Sequence, residues 1–167
     1  DPHACKTRPR SVPVTPIEEL EAALPRASRL LGLDLGEKTI GLALSDGLLM
    51  VATPMETLRR GKFTADAGKL RGIFAEHEIG GLIIGLPLNM DGSEGPSCQS
   101  SRQFAANLLE KIDIVIGFWD ERLSTVAVTR TLLDADMSRR RRAEVVDKMA
   151  ASYILQGALD RLKVLRG

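Results

Sequence analysis

Four acidic residues stand where a carboxylate could take part in chemistry, namely Asp34, Asp120, Glu121 and Asp147. Carboxylates that converge without a nearby histidine repel one another and raise one another's pKa unless a cation neutralises them. Ligand sets made only of oxygen suit Mg²⁺ or Mn²⁺, and such a site favours metal-assisted phosphodiester hydrolysis. Taken singly, each acid also has a structural explanation as a turn former or an ion-pair partner.

Three of these acids lie at the ends of apolar runs that are typical of buried strands. Asp34 lies near the end of the run 30–36, and Asp120 with Glu121 directly follows the run 114–119. A charge at the end of a buried strand is costly unless a positive group meets it. If the two strands are parallel, their carboxyl ends open at the same edge of the sheet, where ligands of such sheets bind.

Asp147 is the least expected acid, because it falls on an apolar helical stripe. It shares the i, i+3, i+4, i+7 face with Ala150, Ala151 and Ile154 in a helix predicted for about 143–163. The small side chains at 150 and 151 would let this helix approach the sheet closely. The spacing therefore directs Asp147 towards the sheet rather than towards solvent.

The pattern of apolar residues predicts a mixed sheet. Alternating or continuous apolar runs predict strands at 30–36, 39–45, 50–58, 82–86 and 114–119. Helical spacing predicts helices at about 63–74, 101–112, 124–136 and 143–163, with the arginines 139–142 between the last two. Three strands followed by alternating helices and strands imply antiparallel neighbours on one side and parallel strands with helical crossovers. Pro54 fits best on an edge strand.

Composition narrows the class of protein. A chain of 167 residues with 44% hydrophobic content suits a single domain with a substantial core. It has no apolar run of about 18 residues, and its start does not resemble a secretory signal. Cys5 and Cys98 lie far apart, which argues against a disulfide framework or a thiolate metal site, and the isolated His3 and His77 make zinc improbable. We expect a cytoplasmic protein without membrane contact.

The N-terminal 28 residues differ from the rest because they are rich in proline and contain few large apolar side chains. We predict an arm over 1–28, partly disordered, with a short helix at 16–24 that Thr15 could cap. Such a helix would decorate the surface. The remaining residues, 29–167, would form the folded domain.

Four segments resemble the signature blocks of the YqgF/RuvX family. The matching residues are Gly-Leu-Asp-Leu-Gly-Glu-Lys-Thr-Ile-Gly at 32–41, Gly-Leu-Pro-Leu-Asn-Met-Asp-Gly-Ser at 85–93, Asp-Glu-Arg-Leu-Ser-Thr at 120–125, and Val-Asp at 146–147 with Ala-Ala at 150–151. Members of this family have a ribonuclease-H-like fold and are described as candidate pre-16S rRNA nucleases or as Holliday junction resolvase-like proteins. The resemblance covers roughly residues 29–163. It implies a central first strand, with the hairpin strands on one side and two parallel strands on the other.

The resemblance also implies a catalytic carboxylate triad. It transfers here to Asp34, Glu121 and Asp147, which would hold Mg²⁺ or Mn²⁺. Asp120 is kept as a further metal-ligand candidate, because sequence alone does not say which of the adjacent pair points into the site.

Five residues are predicted to bind substrate: Arg122, Asn89, Lys38, Arg139 and Arg140. Arg122 follows Glu121 closely enough to orient a phosphate, and Asn89 lies in a loop expected to border the cleft. The arginines 139–142 could track a nucleic-acid backbone or could form a solvated connector. Because aromatic residues make up only 4% of the chain, contacts to the backbone should outweigh base stacking.

The favoured function is therefore a metal-dependent nuclease in 5′-end maturation of pre-16S rRNA. The alternatives are a Holliday junction resolvase-like DNA endonuclease, which would need a symmetric dimer, and a catalytically idle scaffold that binds nucleic acid. Asp34 and Gly36 with Thr39 also resemble the phosphate loop of actin-type ATPases, but those enzymes need two such domains. The sequence leaves monomer and homodimer open.

Overall fold

The computed structural model describes residues 14–25, 27–123 and 139–167, with only the backbone for 139–147. The predicted helix at 124–136 and the predicted disorder of the first residues lie outside this part of the chain. The strands are β1 (Arg29–Leu35), β2 (Thr39–Ser45), β3 (Ala52–Arg59), β4 (Ile79–Leu86) and β5 (Val115–Asp120). The helices of the described part are α1 (Ile17–Ala23), α2 (Phe63–His77), α3 (Pro96–Lys111) and α4 (Arg139–Arg166).

The strands form one five-stranded mixed sheet in the order β3-β2-β1-β4-β5. β1 pairs antiparallel with β2 and parallel with β4, while β3 and β5 extend the antiparallel and parallel sides. This is the arrangement that the family resemblance implied, and it confirms the α/β, ribonuclease-H-like fold. The central β1 is buried from Leu30 to Asp34, which explains its continuous apolar run.

Alternation along β1 assigns its side chains to two different cores. Leu31 and Leu33 pack in the cluster that contains the buried residues of α2 and α3, whereas Leu30 packs in the cluster that contains those of α4. Gly32 touches α4 so closely that a Cβ there would lie 2.7 Å from Leu155 Cβ. Because side chains alternate, Asp34 shares the α4 face with Gly32.

The short helix α1 belongs to the core, so the expectation that it decorates the surface is wrong. Leu20 is fully buried in the α4-side cluster and its Cδ1 would lie 3.2 Å from a Cβ on Gly117 of β5. The Thr15 backbone N–H donates to the Ile116 carbonyl at 2.8 Å. The segment therefore covers the outer edge of β5. Pro16 rather than Thr15 occupies the N-cap position.

The C-terminal helix is longer than its apolar stripe indicated. In the described part of the chain it extends over Arg139–Arg166, so the arginines 139–142 are helical and the prediction that they lie between two helices is wrong. Arginine is a good helix former, and no glycine or proline stands between 139 and 143 to interrupt the helix. Within the described ranges, no helix is long and apolar enough to cross a membrane.

The position of Pro54 is confirmed, since β3 is an outer strand of the sheet. The pairing with β2 shifts between Leu42, opposite Glu56, and Ala43, opposite Pro54. Met55 is thus the extra residue of a bulge. An edge strand with a bulge tolerates proline, because one side of its ladder carries no hydrogen bonds.

Candidate active site

Asp34 is a buried carboxylate at the carboxyl end of the central strand. Its side chain is 3% exposed and lies on the α4 face, opposite Gly41 of β2. On the other side, Leu33 pairs with Ile84 of the parallel strand β4. The next residues along the two strands, Asp34 and Gly85, are therefore also neighbours. Both of its neighbours on the adjacent strands, Gly41 and Gly85, therefore carry no side chain.

The carboxylate of Glu121 lies above Gly85. A Cβ on Gly85 would come within 2.7 Å of Glu121 Oε1 and within 2.5 Å of Ile154 Cδ1 of α4. Glu121 itself begins a short 3₁₀ turn, Glu121–Leu123, directly after β5. The side chains of Asp34 and Glu121 therefore lie on one face, at the carboxyl end of the parallel strands.

Asp120 points to the other side of the sheet. It alternates with Trp119, which packs in the α4-side cluster, and shares the face of Phe118, which packs with the α2 and α3 side. Its Oδ2 forms an ion pair with Arg122 Nη2 at 2.7 Å, and its Oδ1 accepts the Arg122 backbone N–H at 2.9 Å. The hydrogen bonds and charge of Arg122 hold the pKa of Asp120 below its usual range. Of the adjacent acids, Glu121 is the one that shares the face of Asp34.

The backbone of α4 carries position 147 towards the same end of the sheet. Ala151, one turn later, places its carbonyl oxygen 2.9 Å from a Cβ on Gly32. Beyond it, Gln156 accepts from the Ala52 N–H at 2.8 Å, at the opposite end of the sheet from Asp34. The side chain of Asp147 lies outside the described part, so its role in the triad stays a prediction.

Arg122 connects the end of β5 to the loop that follows β4. Besides its ion pair with Asp120, its Nη1 donates to the Met90 carbonyl at 3.3 Å. A Cβ on Gly92 would lie 3.5 Å from the same Nη1, and the positive φ of 87° at Gly92 is one that glycine adopts readily. The guanidinium therefore fixes the loop. Its predicted contact with substrate is not tested by this geometry.

The loop itself is closed by hydrogen bonds among its polar residues. Asn89 Nδ2 donates to Ser93 Oγ at 2.9 Å, and the Asn89 N–H donates to the Ser93 carbonyl at 3.0 Å. The Ser93 hydroxyl and N–H both donate to Asp91 Oδ1, which lowers the pKa of Asp91. Asn89 is exposed, and its contact with substrate stays a prediction.

The remaining predicted substrate contacts lie at two further places. Lys38 is exposed in the tight turn between β1 and β2, beyond Asp34. Arg60, which sequence reasoning missed, supports this turn by donating from Nη1 to the Gly36 carbonyl at 2.7 Å. Arg139 and Arg140 lie in α4, and their side chains are outside the described part.

The residues of the site suit a hard divalent cation. In the part of the chain with described side chains, no three His, Cys, Asp or Glu residues cluster, so this part contributes the two carboxylates Asp34 and Glu121. Both are oxygen donors, and the missing Cβ of Gly85 leaves the space that the Glu121 carboxylate fills. Oxygen donors of this kind fit Mg²⁺ or Mn²⁺.

The model of the RuvX family, described as Holliday junction resolvase, matches residues 28–161. The chain belongs to this family. Curated relatives of this RuvX protein are similar over most of their length. A protein of Ruegeria sp. is 62% identical over 149 residues, covering 89% of this chain and 95% of the relative. One from Paramagnetospirillum magneticum is 63% identical over 149 residues, covering 89% and 96%. Both carry the name "Putative pre-16S rRNA nuclease".

Solved structures with a similar fold have much lower sequence identity to this chain. RuvC of Thermus thermophilus, in complex with Holliday junction substrate, has a TM-score of 0.45 at 8% identity, covering 81% of this chain and 96% of that one. The yeast mitochondrial Holliday junction resolvase Ydc2 has a TM-score of 0.47 at 12% identity, covering 90% and 85%.

Proposed function

We propose that this RuvX family member is a metal-dependent nuclease that hydrolyses phosphodiester bonds in 5′-end maturation of pre-16S rRNA in the cytoplasm. One observation carries the proposal. The carboxylates of Asp34 and Glu121 share one face at the carboxyl end of the parallel strands, with Glu121 seated over Gly85. The names of the relatives supply the RNA substrate, since pre-16S rRNA is what those names state.

In this mechanism the chain provides a rigid set of ligands. Asp34 is fixed by the central strand and Glu121 by contact with Gly85 and Ile154; Asp147 would complete the set from α4. A bound Mg²⁺ or Mn²⁺ would make a water nucleophilic and stabilise the leaving oxygen. A ligand on a packed strand, such as Asp34, is held more accurately than a ligand on a loop.

Burial of Cys98 supports carboxylate chemistry over thiolate chemistry. Its thiol is fully buried near the start of α3, and burial together with the charge of Glu94 raises its pKa. A thiol with a raised pKa is a poor nucleophile and a poor metal ligand at neutral pH. Cys98 therefore does not compete with the carboxylates as a nucleophile or a metal ligand.

The description of the family model favours a second candidate, cleavage of four-way DNA junctions. The two activities would use the same carboxylates and differ in the substrate. A junction resolvase cuts paired strands and would act as a symmetric dimer, whereas trimming of an rRNA precursor has no such requirement.

The test compares a structured pre-16S rRNA fragment with a four-way DNA junction. Each is incubated with the protein and Mn²⁺ or Mg²⁺, with and without chelator, and then with Asp34→Asn. We expect RNA cleavage that stops with chelator and falls at least about a hundredfold in the variant. Cleavage that survives both treatments would overturn the carboxylate site, and cleavage of the junction alone would replace the proposed substrate.

A further inference from the structure

Exposed cations gather at the sheet end that carries Asp34. Lys38 lies in the β1–β2 turn, Arg59 ends β3, and Lys62 stands at the N-cap of α2. All three side chains are exposed. We call Lys38, Arg59 and Lys62 the basic rim.

The backbone holds the rim together. Arg59 pairs with Thr39 across β2 and β3, and the N–H of Arg60 donates to the Lys38 carbonyl at 2.8 Å. The Arg60 guanidinium is held in place, since it donates to the Gly36 carbonyl at 2.7 Å and lies 5.8 Å from the Phe104 ring centroid. The three cations therefore project from a fixed corner rather than from flexible segments.

The rim lies close to the proposed catalytic site. Lys38 is four residues after Asp34, at the end of the same hairpin. Since a strand advances about 3.3 Å per residue, the rim begins roughly 10 Å from the buried carboxylate. Arg59 stands opposite Thr39, which lies on the same face of β2 as Gly41, the partner of Asp34. Lys and Arg side chains at this distance can reach phosphates that flank a bond held at Asp34.

Four other cations of the described part form ion pairs with acids. The ion pairs of Arg and Lys with acids are Arg102–Glu94, Arg122–Asp120, Lys163–Asp160 and Arg166–Glu21. Within the described residues, none of the rim cations forms such a pair, although the exposed Glu37 shares the turn with Lys38. The rim therefore presents positive charge to solvent beside an acidic site.

We propose that the basic rim binds the phosphate backbone of a single RNA strand where that strand leaves the catalytic site on the β3 side. The inference rests on the proposed nuclease function and adds the path of the substrate. Lys and Arg contacts to phosphate position a nucleic acid without reading its sequence, which suits three exposed cations with no aromatic side chain among them.

The test measures how binding of a fluorescein-labelled single-stranded oligoribonucleotide depends on KCl concentration. Each phosphate contact on a single strand contributes about 0.7 to the slope of log K against log salt. The triple variant K38Q/R59Q/K62Q should therefore lower the slope by about 2. The matched control K69Q/K111Q/R161Q removes the same charge from exposed positions elsewhere and should leave the slope nearly unchanged.

An unchanged slope in the rim variant, or an equal loss in both triple variants, would overturn the proposal. Circular dichroism and melting of each triple variant verify folding, and the single variant K38Q, with an expected loss of about 0.7, replaces a triple variant that fails to fold. The readout is binding, so it is separate from catalysis. If the unchanged protein cleaves RNA and the triple rim variant keeps the salt slope of the unchanged protein, only the rim proposal is overturned. If Asp34→Asn cleaves RNA fully, only the proposed catalytic site is overturned.

Discussion

Glu121 and Gly85 are in direct contact, with Glu121 Oε1 2.7 Å from the point where a Cβ on Gly85 would lie. The contact joins the end of β5 to β4, the strand beside Asp34. A glycine at this position therefore does two things, since it admits the Glu121 carboxylate and it lets Ile154 of α4 rest on the sheet. The geometry of the proposed site therefore depends on the absence of a side chain at Gly85.

Gly85→Ala should damage catalysis more than stability. The added methyl group meets Ile154 Cδ1 and Glu121 Oε1, both at the ends of flexible side chains that can move aside. We expect a loss of about 1 kcal/mol in the free energy of unfolding. Displacement of the carboxylate by about 1 Å should lower kcat for RNA cleavage by up to about a hundredfold. Urea unfolding and single-turnover cleavage measure the two effects.

Gly32→Ala is the matched control. Its methyl group would meet Leu155 Cβ at 2.7 Å and the Ala151 carbonyl oxygen at 2.9 Å, both held by the helix. The expected loss of stability is about 3 kcal/mol, with a smaller loss of activity per folded molecule than in Gly85→Ala. The reverse ranking of the two variants in activity would show that Gly85 does not position Glu121.

Glu121→Gln and Asp120→Asn should separate the adjacent acids. Only Glu121 shares the face of Asp34, so Glu121→Gln should lower cleavage at least about a hundredfold. It should also reduce the rise in melting temperature caused by Mn²⁺, because a cation that binds the native state stabilises it. Asp120→Asn should retain most of that rise. A normal Mn²⁺ response in Glu121→Gln, together with loss of the response in Asp120→Asn, would reverse the assignment.

The sheet could be predicted because its strands are marked by hydrophobic pattern and its order by chain connectivity. Asp34 stood out for the same reason, as the one acid in the run 30–36. The choice between Asp120 and Glu121 could not be made from sequence. It depends on how β5 passes into the 3₁₀ turn and on the ion pair that holds Asp120 with Arg122.

Two other features depend on contacts distant in sequence. Leu20 gave no sign of burial, because its helix has only seven residues and its packing partners lie in β5 and α4. Gly85 was seen only as part of a motif. A glycine inside a continuous apolar strand does indicate a close approach by another element, and this signal could have identified it.

The ion pair of Asp120 with Arg122 should make stability depend on pH in the acid range. The pKa of Asp120 is lowered in the folded state, so the unfolded chain binds more protons as pH falls through the unfolded value of about 3.9. The stabilisation is therefore complete above that value and is lost as pH falls towards the folded pKa. Urea unfolding from pH 3 to 7 should give a difference between the unchanged protein and Asp120→Asn that is constant near neutrality and shrinks in acid. A difference that does not change with pH would contradict the ion pair.

Exchanging Asp120 and Arg122 should reveal whether Arg122 acts by holding Asp120 and the loop or by binding the substrate. The guanidinium makes its contacts to Asp120 and to the Met90 carbonyl, so Arg122→Ala should free the loop and raise KM more than it lowers kcat. In the double variant D120R/R122D the opposite charges remain adjacent. If the pair serves to position Glu121, the double variant should recover at least about tenfold of any kcat lost in the single variants. If Arg122 instead binds phosphate, the exchange should recover no activity. Arg122→Ala should then lower the slope of log K against log salt for RNA binding by about 0.7, the value for one phosphate contact.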